Sequence, residues 1–200
     1  MSGNGWGFYG TKSLQMVPYM EGAPVYLDNT LPHLYARTKE EEHLPAVFHE
    51  DGFNLEKFII FCAKRPIQCL CKVEDDKRLI PVGYSWVDAP YGIDGSRGAL
   101  VGFCFFKDGI KVSRDLGRLG LAYMFIDLRI DILHGAILEF NTPALNYAKR
   151  LGFKTVAFVP KWKYVGGKMV GVHVVQLEKN DFMPKFSEWH EPQKLVADPV

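Results

Sequence analysis

The stretch Asn141-Thr142-Pro143-Ala144-Leu145-Asn146-Tyr147-Ala148-Lys149-Arg150-Leu151-Gly152-Phe153 predicts a short helix with a strand on each side. Upstream, Ala136-Ile137-Leu138 is an apolar run suited to a buried strand. Asn141 or Thr142 can cap the helix, and Pro143 fits its first turn, where a missing N–H costs nothing. Ala144, Leu145, Ala148 and Leu151 share one helical face. Lys149 and Arg150 suit the negative end of the helix dipole, and Gly152 suits a left-handed cap. Phe153 and residues 155–159 resume strand composition. An ordinary strand–helix–strand unit satisfies all of this.

Working outward, residues 1–10 hold four glycines and three aromatics, too flexible for a regular element. Residues 1–30 are expected to form an N-terminal Gly/aromatic arm, docked on this domain or on a partner, or loose. Thr38, with Glu41 three residues on, predicts a helix start. Asn54 predicts a second, carrying Leu55, Phe58, Ile59 and Cys62 on one face and ending before Pro66. Strands are expected over 68–74, 78–87 and 99–106, with a long loop over 88–98. Residues 121–132 read as a helix, and 169–178 as the last strand. The loop over 160–167 is expected to overhang an acceptor site. From Asp181 a surface tail is expected. The order implies one α/β (α+β) domain over residues 31–180, built on a single mixed, mostly antiparallel sheet with helices on both faces.

Asn-x-x-Ala, seven residues, then Gly-Phe resembles the C-terminal half of the GNAT acetyltransferase superfamily, the acyl-CoA N-acyltransferases. The order of elements resembles that superfamily too. The resemblance implies acetyl-CoA, or another acyl-CoA, as cofactor and a small-molecule or protein amine as acceptor. It places a pyrophosphate loop at Gly117-Arg118-Leu119-Gly120-Leu121-Ala122, where Gly120 and Ala122 match the motif's last two positions. Gly117 stands where the superfamily has Gln or Arg. A second register starts at Arg114 and puts Leu119 where a small residue belongs. Arg114 and Arg118 are then phosphate contacts, as against solvated arginines beside incidental glycines.

The same resemblance gives the backbone of Phe103, Cys104 and Phe105 to the pantetheine arm. It gives Asn141 to that arm or to a splayed strand end, with a plain helix cap as the alternative. The tyrosine that many members use as acid is replaced by Ala148, leaving Tyr147 about 100° around the helix. Glu139 and His173 are the nearest base candidates. An apolar strand raises a thiol's pKa, which argues against Cys104 as nucleophile. The departures leave a second possibility open: a non-catalytic binding or structural protein on this fold, such as a virus-encoded assembly or host-interaction factor.

Composition bounds the rest. Lys plus Arg is 24 and Asp plus Glu is 23, so bulk charge gives no reason to expect nucleic acid. Four cysteines without zinc spacing predict buried free thiols and no metal. No apolar run approaches the roughly 20 residues of a membrane span. The N-terminus lacks the pattern of a secretory signal, so a cytoplasmic protein is expected, with the arm as a possible dimer or assembly contact.

Overall fold

The computed structural model describes residues 9–48, 52–93 and 95–189. Eight strands form one sheet: β1 Tyr9–Gly10, β2 Leu14–Pro18, β3 Ile67–Val73, β4 Leu79–Ile93, β5 Ser96–Phe105, β6 Ile132–Leu138, β7 Lys154–Val165 and β8 Lys168–Glu178. Their spatial order is β1-β2-β3-β4-β5-β6-β8-β7. Every neighbouring pair is antiparallel except β5 and β6. The helices are α1 Thr30–Glu40, α2 Leu44–Phe48, α3 Leu55–Ala63, α4 Ser113–Ile126, α5 Thr142–Leu151 and α6 Lys179–Trp189. A 3-10 segment, Lys107–Val112, leads into α4.

Strand alternation sorts the core into two clusters, one on each face of the sheet. One holds Leu70, Val82, Ala99 and Val175 beneath Leu116, Leu119, Leu121 and Phe125 of α4, Leu151 of α5 and Phe182 of α6. The other holds Cys69, Cys71, Tyr84 and Cys104 beneath Leu34 of α1 and Phe58 of α3. All four cysteines are free and buried. The architecture is the single mixed, mostly antiparallel sheet that the element order predicts.

The opening stretch folds as its chemistry requires. Asn141 Oδ1 accepts the Ala144 N–H at 3.2 Å, proline sits in the first turn of α5, and Gly152 takes φ 103°. Asn54 caps α3 in the same way, accepting the Lys57 N–H at 3.0 Å.

Several expectations need correction. The arm expected over 1–30 is not an arm where it is described. From Tyr9 it supplies β1 and β2, and Leu14 and Met16 bury one side while Val17 buries the other. Tyr9 is pinned by a hydrogen bond from its hydroxyl to Asp127 Oδ2. The Gly-rich stretch before Tyr9 lies outside the described residues. Thr38 does not start a helix; it lies inside α1, is fully buried, and donates to Leu34 O at 2.6 Å.

The loop expected over 88–98 is mostly strand, interrupted by an irregularity between Asp88 and Tyr91. Gly98 looks like a turn residue in isolation. Its bare Cα instead admits the Tyr91 ring, because an added Cβ would sit 2.4 Å from a ring carbon. The segment expected as an overhanging loop, 160–167, is the rest of β7 and a Gly166–Gly167 turn, with both glycines at positive φ. The tail expected from Asp181 continues α6, where Phe182 and Phe186 are buried. Residues beyond Trp189 lie outside the described region.

The capping geometry predicts that Asn141→Ala costs about 1 kcal/mol in urea denaturation, and Asn141→Gly only a few tenths.

Candidate active site

The one parallel pairing in the sheet is short. Gly98, Ala99 and Leu100 of β5 pair with Ile132, Leu133 and His134 of β6. β5 then continues to Phe105, and β6 to Leu138, without each other. The two strands part, and β5 keeps only β4 as a partner over its second half. Backbone groups on the vacated edge have no strand to bond. Such an edge in the middle of a sheet is unusual, because sheets normally confine unpaired edges to their margins.

A cavity of about 370 Å³ occupies the gap. β5 contributes Val101 through Phe105, and β6 contributes Gly135 through Leu138. On the α5 side the wall is Asn141, Pro143, Ala144, Tyr147, Ala148, Arg150 and Leu151. Ile110 and Ser113, where the chain enters α4, complete that side. On the other face of the sheet the wall is His43, Val47 and Trp86. Residues from both core clusters therefore line one cavity, which passes through the sheet at the parting.

Local fits hold this wall in place. Gly102 leaves room for Trp86, whose ring carbons would lie as close as 2.0 Å to an added Cβ. Tyr147 packs edge-on against Phe103 and Phe105, with centroids at 6.1 and 5.4 Å. Its hydroxyl donates to Ser113 O at 2.9 Å. Burial pushes its phenol well above the ordinary range, so it stays protonated. Gly117 makes that position possible: a Cβ there would stand 2.1 Å from Tyr147 Oη.

Phe103, Cys104, Phe105, Asn141 and Tyr147 are thus brought together on the cavity wall. The residues of the expected pyrophosphate loop are not. The helix begins at Ser113 rather than Leu121, so Gly117, Leu119, Gly120, Leu121 and Ala122 are buried inside α4. From Gly117 onward the N–H groups are committed to the helix. Arg118 lies over the Trp189 ring at 5.1 Å and stands 3.7 Å from Asp115. Arg114 is exposed on the first turn of α4. Glu139 is off the wall, its Oε1 accepting the Gly171 N–H at 2.8 Å. His173 packs against Phe158, also off the wall. Cys104 is on the wall, but burial pushes its thiol up to about 12. Among the described residues no cluster could hold a metal ion, and no helix is long and apolar enough to cross a membrane.

His43, Trp86, Ser113 and Arg150 were not singled out by the sequence. Arg150 was legible only as a helix-end charge. His43 follows α1 with no local signal, and reaches the cavity solely through the packing of α1 and α2 on the sheet.

The site can be tested for fit to a CoA thioester. The vacated β5 edge offers backbone donors and acceptors to an extended amide-bearing arm. The first turn of α4 has no side-chain cap; its Ser113 N–H is taken by Ile110 O, and the positive end of the helix dipole faces the opening, where it favours an anion. Arg150 adds a cation on the rim. These features fit the group.

No protein-family model and no curated protein sequence matches the chain. Solved structures do. A GCN5-related N-acetyltransferase from Brucella melitensis superposes with a TM-score of 0.68 at 12% identity, covering 92% of this chain and 86% of that one. Spermidine N-acetyltransferase from Vibrio cholerae, solved with CoA and spermine, gives 0.67 at 13% identity over 86% of this chain and 99% of that one. Ribosomal-protein-S5-alanine acetyltransferase from Vibrio fischeri gives 0.66 at 12% identity over 88% and 99%. The chain shares the fold of these GNAT acetyltransferases.

Two measurements check this site. Gly117→Ala is expected to cost about 1–3 kcal/mol through the clash with Tyr147. Most of that cost should vanish in a Tyr147→Phe background, which a double-mutant cycle in denaturant reads directly. Burial pushes the Cys62, Cys71 and Cys104 thiols up to about 12 and holds the Cys69 thiol well above its ordinary value. At pH 8 the folded protein should therefore leave Ellman's reagent unreacted, while all four thiols react in guanidinium.

Proposed function

We propose that the protein is a CoA-dependent N-acyltransferase that transfers an acyl group, acetyl in the simplest case, to an amine. The observation that carries this is the cavity through the sheet where β5 and β6 part. It lies beside the start of α4 and is bounded by strand backbone that has no neighbouring strand to bond. The thioester, when bound, supplies an activated acyl carbon.

This chain's residues do the rest. Backbone groups at Phe103, Cys104 and Phe105 hold the pantetheine arm, and the Asn141 cap fixes the end of β6 against it. The first turn of α4, with Arg114 and Arg150, takes the phosphates in place of the buried glycines further along. Phe103, Phe105 and Trp86 exclude water. Tyr147 exchanges its Ser113 carbonyl acceptor for the departing sulfur, to which it donates a hydrogen bond. The amine enters from the side of α2 and Trp86, opposite the helix-side wall, so the two substrates meet at the parting.

Calorimetry with acetyl-CoA tests the reading, alongside thiol release in the presence of spermidine, an alanyl peptide or phenylethylamine. Ala136→Trp, which fills the cavity from β6, should weaken acetyl-CoA binding by at least about tenfold. No heat with the intact protein would sink the proposal.

A further inference from the structure

Acyl transfer to a protonated amine requires a group that removes a proton before the nitrogen can attack. The proposed roles above assign none. Among the described residues, the titratable side chains on the cavity wall are His43, Cys104, Tyr147 and Arg150. Cys104 and Tyr147 are held protonated by burial, and arginine is not a base at neutral pH. His43 is left.

Its surroundings suit the task. Nε2 is closed off from solvent and forms no hydrogen bond. It stands 3.4 Å from Glu41 Oε2, within ion-pair range but without hydrogen-bond geometry. An imidazolium formed there faces a carboxylate directly. Glu41 is itself fixed: Oε2 accepts the Lys107 N–H at 2.7 Å and Oε1 accepts from Arg37 at 2.9 Å. Arg37 also bonds Asp108, which holds that carboxyl below its usual range. The Glu41 carboxylate is thereby held beside His43 from α1 and from the segment that follows β5.

Other described histidines lack this setting. His134 has both ring nitrogens partnered, by Tyr91 and Gln176. His173 and the exposed His33 are off the wall.

We infer that His43, on the α2 side of the cavity, is the catalytic base for the acceptor amine, with Glu41 as its positioning residue. The inference rests on the acyltransferase reading. One proton of the ammonium goes to Nδ1 of His43, the ring nitrogen that does not face Glu41. The amine nitrogen then forms the C–N bond as the C–S bond breaks. The departing thiolate takes the second amine proton, and the imidazolium returns its own to solvent.

The test uses the full chain, acetyl-CoA, and spermidine, an alanyl peptide and phenylethylamine as probe amines. His43→Ala and His43→Gln are expected to bind acetyl-CoA as the wild type does. Both should transfer the acyl group about 10²–10³-fold more slowly. Added imidazole should restore part of the His43→Ala rate, which a purely structural histidine would not allow. Glu41→Gln should slow the wild type yet add nothing in His43→Ala. A His43→Ala rate within about twofold of wild type overturns the inference, as does a loss that imidazole leaves untouched. So does wild-type protein that binds acetyl-CoA and acylates none of the amines. Wild-type protein that does not bind acetyl-CoA at all is a different result, which removes the acyltransferase reading itself.

Discussion

The parting of β5 from β6 is the constraint on which the rest of the molecule turns. Three residues of parallel pairing tie the two halves of the sheet together. Beyond them each strand is held only by its outer neighbour, β4 on one side and β8 on the other. An opening inside a sheet forfeits ladder hydrogen bonds and exposes core, so it persists only if the flanking layers are rigid without it. Here they are. α4 and α6 pack across one face, α1 and α3 across the other, and each layer has its own buried cluster.

The same constraint explains where the chain spends its glycines. Gly102 admits Trp86, Gly98 admits Tyr91, and Gly117 admits the Tyr147 hydroxyl. In each pair a large ring lies against bare backbone beside the opening or at its root. A methyl group at any of the three would push a ring away by more than a side chain can yield cheaply, because the added Cβ would stand 2.0 to 2.4 Å from ring or hydroxyl atoms. These glycines are packing residues, with no positive φ to explain them.

That is also why part of the sequence was legible and part was not. α5 could be read residue by residue, since its cap, its proline, its terminal charges and its left-handed glycine all act within one turn of where they stand. α3 was legible for the same reason through Asn54. Gly117 and Gly120 misled, because two glycines near a helix start look like a phosphate-binding loop. The signals that would have placed the start at Ser113 were missing: Val112 provides no side-chain cap, and a 3-10 turn precedes it. Residues 88–98 misled similarly, since their turn-like composition is overridden by cross-strand pairing of Tyr91 with Gly98. Part of the candidate wall, Phe103 to Phe105 with Asn141 and Tyr147, was within reach of the sequence. His43 and Trp86 were not, because only the tertiary packing carries them to the opening.

A cavity lined from both faces of a sheet has a chemical consequence on the proposed reading. A donor approaching along α4 and α5 and an acceptor approaching past α2 do not compete for one entrance. Both can be bound at once, so the amine can attack the thioester directly and no acyl group need be parked on the protein. The wall agrees with this. Cys104, its only thiol among the described residues, is bonded into the Tyr84 and Thr38 cluster and held protonated, which makes it a poor carrier. Direct transfer between two bound substrates places the burden on what surrounds the amine. On that reading, acceptor choice falls to the α2 side of the opening, where the sequence offered no signal.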